Sequence, residues 1–227
     1  MVQSEGWQKT IIADPRVNKA LRYALMLFAS YLIALSIAMA RTAGLGTSPI
    51  SSMANVLSLI FIPITIGTLQ FFYNALMVVG QIVLNKSWRK PVEWFQMIMV
   101  FFFAAFVDLN VYLLQGLYMP DYLWQWIWTA LSIVLLGLGV ALELRANVVI
   151  MPGEGIVVSI AQVTGVPFSK CKVAFDVANV LAAAVISLVA FSALVGVREG
   201  TIATALFTGV VVSVFKRILG PRQKKRS

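Results

Sequence analysis

The sequence predicts an all-α polytopic membrane protein of six spanning helices and two short half-membrane helices, arranged as two inverted repeats. Three observations carry that prediction. The chain is 60% hydrophobic and 12% charged, against roughly 45–50% and about 25% in soluble domains. Several apolar runs exceed the roughly 18 residues that a bilayer crossing needs. Two further apolar segments are short and carry proline and glycine where a spanning helix would be continuous.

Residues 1–17 form a polar leader, which a cytoplasmic N-terminus would carry. The first apolar run, Asn18–Ala40, is longer than the roughly 7–15-residue core of a signal peptide, so no cleavable signal is expected. The short segment Pro49–Pro63 follows, with Ser48 suited to a helix N-cap and Pro49 to the first helical position. Thr68–Leu84 and Glu93–Leu117 are the next spans, joined by "KSWRK", and Tyr122–Leu142 is the fourth. In "NVVIMPGEGIVVSIAQVTG" (Asn147–Gly165), Val148–Met151 reads as an extended apolar leg that Pro152 and Gly153 stop. The second short segment, Gly155–Val166, comes next. Helix from Gly155 to Val163 is about 13 Å long at 1.5 Å per residue, against a hydrocarbon core of about 30 Å. It cannot cross. Phe168–Phe191 and Thr201–Val214 are the last spans, before a basic tail at 220–227.

The basic residues set the orientation. If both short segments return to the side they came from, 16 of the 18 Lys and Arg residues face the cytoplasm, including those of "KSWRK", Arg145 and the tail. Only Arg41 and Arg198 fall outside. Counting all eight segments as spans would put six outside. The positive-inside bias favours the re-entrant arrangement, with both termini cytoplasmic. The chain also matches itself at a shift of about 102–104 residues: Arg41 and Pro49 echo Arg145 and Pro152, Ser30 echoes Ser132, and "QFFYN" ending at Asn74 echoes "KVAFD" ending at Asp176. The repeats are 18–120 and 121–219. Each would hold three crossings, so the second is upside down relative to the first, a common plan of secondary transporters. Irregular backbone at membrane depth needs protein or a water-filled cavity around it, so the two short helices should meet near the centre with a solute site between them.

The candidate site residues follow from that placement. Glu154 sits at the tip of the second short helix, either facing the cavity or capping its own helix. Asp176 lies about two turns into its span with Lys172 four residues earlier on the same face, as a structural pair or a proton-sensitive latch. Asn74 and Gln70 are their neutral counterparts in the first half, and Ser51, Ser52 and Gly153 stand at the two tips. Asp108 lies roughly 13 Å inside its span, at a depth where a charge marks function or a buried partner. Arg41 is expected to snorkel to headgroups, and Glu143 and Arg145, two apart, are not expected to pair. The tryptophans fall at predicted interfaces, as in an aromatic belt.

Other chemistries lack their residues. Histidine is absent and Cys171 is the single cysteine, against zinc sites, histidine relays and an internal disulfide. No P-loop, dinucleotide turn or metal-ligand set occurs, so neither an enzyme nor a cofactor is expected. The net charge of +9 falls where orientation and anionic lipid at the tail account for it, not nucleic acid.

The stretches "GLGTSPISSMANVLS" (Gly44–Ser58), "MPGEGIVVSIA" (Met151–Ala161), "SKCKVAFDVANV" (Ser169–Val180) and "VDLN" (Val107–Asn110) resemble the YczE/YyaS/YitT group of bacterial integral membrane proteins, over about Arg22 to Leu219. The resemblance implies a compact multi-span protein of the bacterial cytoplasmic membrane, engaged in transport or export. It implies no site residues. The functional expectation is a secondary transporter, an exporter of a small solute with proton coupling. A channel or lipid-translocating pore and a non-transporting accessory protein are the alternatives. The bilayer, an unidentified small solute, anionic lipid and a second copy of the chain are the partners in view.

Overall fold

The computed structural model describes residues 19–86 and 91–219. The leader, most of "KSWRK" and the basic tail lie outside the described residues. Those described form helices α1 (Lys19–Ala43), α2 (Pro49–Ile60), α3 (Ile66–Asn85), α4 (Pro91–Leu114), α5 (Tyr122–Ala146), α6 (Pro152–Thr164), α7 (Phe168–Phe191) and α8 (Glu199–Leu219). Six of them are long and apolar enough to cross a membrane, as in a multi-pass membrane protein. The other two, α2 with 12 residues and α6 with 13, reach about 18–20 Å at 1.5 Å per residue.

The helices outrun several of the expected bounds because backbone geometry ends a helix, not hydropathy. Helix α1 continues past Ala40 to Ala43, where Gly44 turns left-handed at φ 76°. Helix α5 continues past Leu142 to Ala146, where Asn147 does the same at φ 46°. Glycine and asparagine are the residues that tolerate this cap. Each short helix starts at its proline, earlier than the predicted Gly155 in the case of α6. Ser48 and Met151 precede those prolines at φ −60° with ψ 154° and 148°, the extended conformation that a following proline imposes. Ser48 occupies the N-cap but makes no side-chain cap bond; its hydroxyl donates to Ser51 Oγ at 3.0 Å.

Helix α1 packs along α5 and α4, and α5 packs on α8. Gly139 makes the α1–α5 approach possible: a Cβ there would lie 2.7 Å from Ile33 Cγ1 and 3.1 Å from the Ala29 carbonyl. Small residues at such seams are the membrane counterpart of core packing. Helix α3 lies against α4 and α6, while α2 lies against α3, α7 and α8, and α6 against α7. Ile33, Ile37, Ala54, Ile66, Phe103, Val107 and Met151 share one buried cluster, which ties α1, α2, α3 and α4 to the leg before α6.

The non-helical legs ahead of α2 and α6 satisfy their backbone by different means. Leu45 O accepts Gly200 N–H at 2.9 Å, and Gly46 forms an antiparallel bridge with Val197. The second leg relies on side chains. Gln96 donates to Ile150 O at 2.5 Å, Glu143 accepts Met151 N–H at 2.9 Å, and Gln81 donates to Pro152 O at 3.3 Å.

Candidate functional site

Helix α6 opens at Pro152 and places Glu154 in its first turn, where the free N–H groups favour a negative charge. At its other end Gly165, at φ 72°, caps the helix, and Pro167 leads into α7. The tight turn folds α7 back along α6. Lys172 and Asp176, one helical turn apart on α7, therefore face the start of α6. Lys172 Nζ lies 2.9 Å from Asp176 Oδ1 and 3.8 Å from Glu154 Oε1. One ammonium serves two carboxylates, leaving one surplus negative charge. The three side chains are 26%, 20% and 33% exposed, so the cluster is neither sealed nor freely solvated. Counting 1.5 Å per residue from the α6–α7 turn puts Glu154 about 15 Å along α6, and Lys172 and Asp176 about 6 and 12 Å along α7.

The polar strip extends along α7. Asn179, three residues beyond Asp176, accepts a hydrogen bond from Tyr73 of α3 and donates to Phe175 O at 2.8 Å. Beneath it lies an apolar floor of Met77, Ile156 and Val157, against which Ile50, Phe168, Cys171 and Phe175 pack. The cluster therefore holds two carboxylates against one ammonium, at 3.8 and 2.9 Å.

The structure thus brings together Glu154, Lys172 and Asp176, with Glu154 paired outward to α7. The remaining candidates go elsewhere. Asn74 and Gln70 are buried on α3, and Gln70 Oε1 has no hydrogen-bond partner. Ser51 and Ser52 are buried, and Ser52 donates to Pro49 O within its own first turn at 2.6 Å. Gly153 touches the other tip: a Cβ there would lie 2.6 Å from Ile50 Cδ1. The tips do meet, but on a side chain. Near them is a small, largely apolar cavity of about 10 Å³ lined by Ser36, Ile37, Ser48, Ser132, Leu136 and Thr204, about the room of one water. The expected solute-sized space between the tips is closed in this conformation, because Ile50 fills it.

Asp108 has a partner that its own helix could not reveal. Its Oδ1 accepts Gly67 N–H at 2.7 Å and its Oδ2 accepts the Thr65 hydroxyl at 2.7 Å, so it caps the N-terminus of α3 from across the bundle. Asp108→Ala is expected to lower stability by about 1–2 kcal/mol, the size of a lost helix cap, measured as a fall in the melting temperature of the purified protein. Arg41 corrects an expectation. It does not reach for headgroups but turns inward, donating to Asn55 Oδ1 at 2.6 Å and Ser58 Oγ at 2.7 Å, because α2 presents it a polar face. Arg145 caps α8 through Leu219 O at 2.6 Å.

Glu143 is not among the residues that the sequence singles out for the site, yet it is buried against the leg before α6. The available signal was an acid within the last turn of an apolar helix, eight residues ahead of a helix start whose N–H groups need acceptors.

Residues 20–217 of the chain match a family model. The chain belongs to the DUF6198 family. This is described as a family of unknown function, and the matched stretch includes every residue of the DUF6198 cluster at α6 and α7. No curated protein and no solved structure matches the chain.

Proposed function

We propose that this DUF6198 protein is a secondary transporter, an exporter of a small solute, built from two inverted repeats in which α2 and α6 are re-entrant. The observation that carries the reading is the Glu154–Lys172–Asp176 cluster at the first turn of a half-length helix, since intramembrane charges with incomplete pairing mark ion or proton pathways.

Two features support the repeat. The helix pairings largely map onto themselves when α1–α4 are exchanged for α5–α8: α1 on α4 answers α5 on α8, and α2 on α7 answers α6 on α3. Ile50 and Gly153, which touch, stand at the same offset as Pro49 and Pro152. Contacts on such an axis are where two rocking halves separate, so access would alternate by parting the tips. The charge count supports a cytoplasmic location for both termini, with anionic lipid at the tail, and the motif resemblance supports a bacterial cytoplasmic membrane and the YczE/YyaS/YitT group. Cysteine-accessibility labelling of the "KSWRK" loop checks the orientation.

Glu154→Gln is expected to abolish the pH dependence of solute flux in proteoliposomes while leaving the protein folded. Solutes would first be chosen by a thermal-shift screen, because a bound solute raises the melting temperature with occupancy. Flux in the variant with unchanged pH dependence would remove Glu154 from the coupling. A non-transporting accessory role is the second reading, favoured by the closed tips; stoichiometric co-purification of one partner with no stabilising solute would decide for it.

A further inference from the structure

The start of α1 carries Lys19, Arg22 and Tyr23 at spacings of three and four residues, so the three share one helical face. That face borders an open cavity of about 150 Å³, completed by Asn147 and Val148 where α5 ends. Two cations and no carboxylate line it. Its volume falls short of the roughly 300–1,000 Å³ of a pocket for a drug-sized ligand and suits one small charged group.

Separate contacts fix the walls. Arg22 Nε donates to Ala146 O at 2.8 Å and its Nη2 to Asn147 O, which pins the guanidinium across the end of α5 and offsets the negative pole of that helix. Tyr23 meets Phe95 of α4 edge-on, with ring centroids 5.6 Å apart. Phe95 and Val148 in turn pack on a buried cluster of Met26, Met99, Ala146 and Val149. Lys19 is exposed, and its ammonium forms no hydrogen bond or ion pair with a described residue. The depth fits a lipid headgroup. Helix α1 has 25 residues, about 37 Å at 1.5 Å per residue, against a hydrocarbon core of about 30 Å. Its first turn therefore stands at the level of lipid phosphates.

We propose that this cavity is a phosphate-binding site, for the headgroup of an anionic phospholipid or for a soluble phosphate. Lys19 and Arg22 Nη1, which has no acceptor among the described residues, are the cationic donors, and the Tyr23 hydroxyl is a neutral one. Basic pockets between membrane helices hold lipid headgroups by the same chemistry. The site is separate from the tail at 220–227 and from the cluster at α6 and α7, and it does not rest on the transport reading. A bound phosphate ties the start of α1 to Asn147 and Val148, the first residues of the leg to α6.

Thermal melts of the full chain in neutral micelles test it, with short-chain phosphatidylglycerol, short-chain phosphatidylcholine and inorganic phosphate as probes. Phosphatidylglycerol should raise the melting temperature saturably, and phosphatidylcholine should not. Lys19→Gln should weaken the apparent affinity about fivefold, the loss of one surface cation, and leave the melting temperature without probe unchanged. Tyr23→Phe keeps the ring on Phe95 and should weaken the response as well. Neutralising Lys224, Lys225 and Arg226 together should leave the response in place. Stabilisation by inorganic phosphate that depends on Lys19, with nothing added by phosphatidylglycerol, would make the ligand a soluble phosphate; stabilisation by phosphatidylglycerol alone would make it a lipid. If Lys19→Gln does not fold, Tyr23→Phe decides by the same reading. No stabilisation by either probe, a response unchanged in Lys19→Gln, or one lost when the tail charges are removed would overturn the proposal.

Discussion

Lys172→Met is expected to lower the stability of the protein by about 1–3 kcal/mol and, on the proposed transporter reading, to stop proton-coupled flux. Removing one partner from a fully buried pair costs about 3–5 kcal/mol, and the partial exposure of all three side chains reduces that through solvent screening. The loss arises because Glu154 and Asp176 are left without their shared ammonium. The neutral triple variant, Glu154→Gln with Lys172→Met and Asp176→Asn, should therefore melt close to wild type and, on the proposed transporter reading, still carry no proton-coupled flux. Chemical or thermal unfolding in micelles separates the two. A single variant as stable as wild type would mean that the three charges do not act as a unit.

Gly46→Val is expected to produce the largest stability change. Gly46 sits at φ 97°, and a Cβ there would run into Thr201 Oγ1 and lie 2.8 Å from Arg198 N. The left-handed backbone costs a valine about 1–3 kcal/mol, and forcing an atom against main chain costs about 1–3 kcal/mol more. The backbone of Arg198 cannot yield without breaking the neighbouring Gly46–Val197 bridge and the Gly200–Leu45 bond. A loss of about 2–6 kcal/mol should appear as poor recovery of folded protein. Gly46→Ala should lie between valine and wild type. A normally folded valine variant would show that the α1–α2 and α7–α8 connections are not rigidly docked.

Much of the cluster is legible in the sequence. Lys172 and Asp176 are four apart in an apolar run, and that spacing alone puts them on one helical face. Glu154 follows a proline that interrupts an apolar segment, so its place at a helix start was also readable. Their meeting was not, since it depends on the turn at Gly165 folding α7 back along α6. Asp108 shows the same boundary. Its depth in α4 marked it as needing a partner, but Gly67 and Thr65 lie 41 and 43 residues away. Arg41 was misjudged because snorkelling is the default for an arginine at a span end, and Asn55 and Ser58 become its partners only once α2 folds back on α1.

What the sequence determined by itself is local: which runs are apolar and long enough to cross, and where proline, glycine and asparagine break them. Hydropathy and backbone conformation act within a few residues, so they can be read along the chain. The tertiary structure alone decided which buried polar groups face one another, that Ile50 closes the space between the tips, and that Glu143 lies at the start of α6. Those outcomes depend on contacts between helices distant in sequence, where burial turns an ordinary carboxylate or amide into a group that must find a partner.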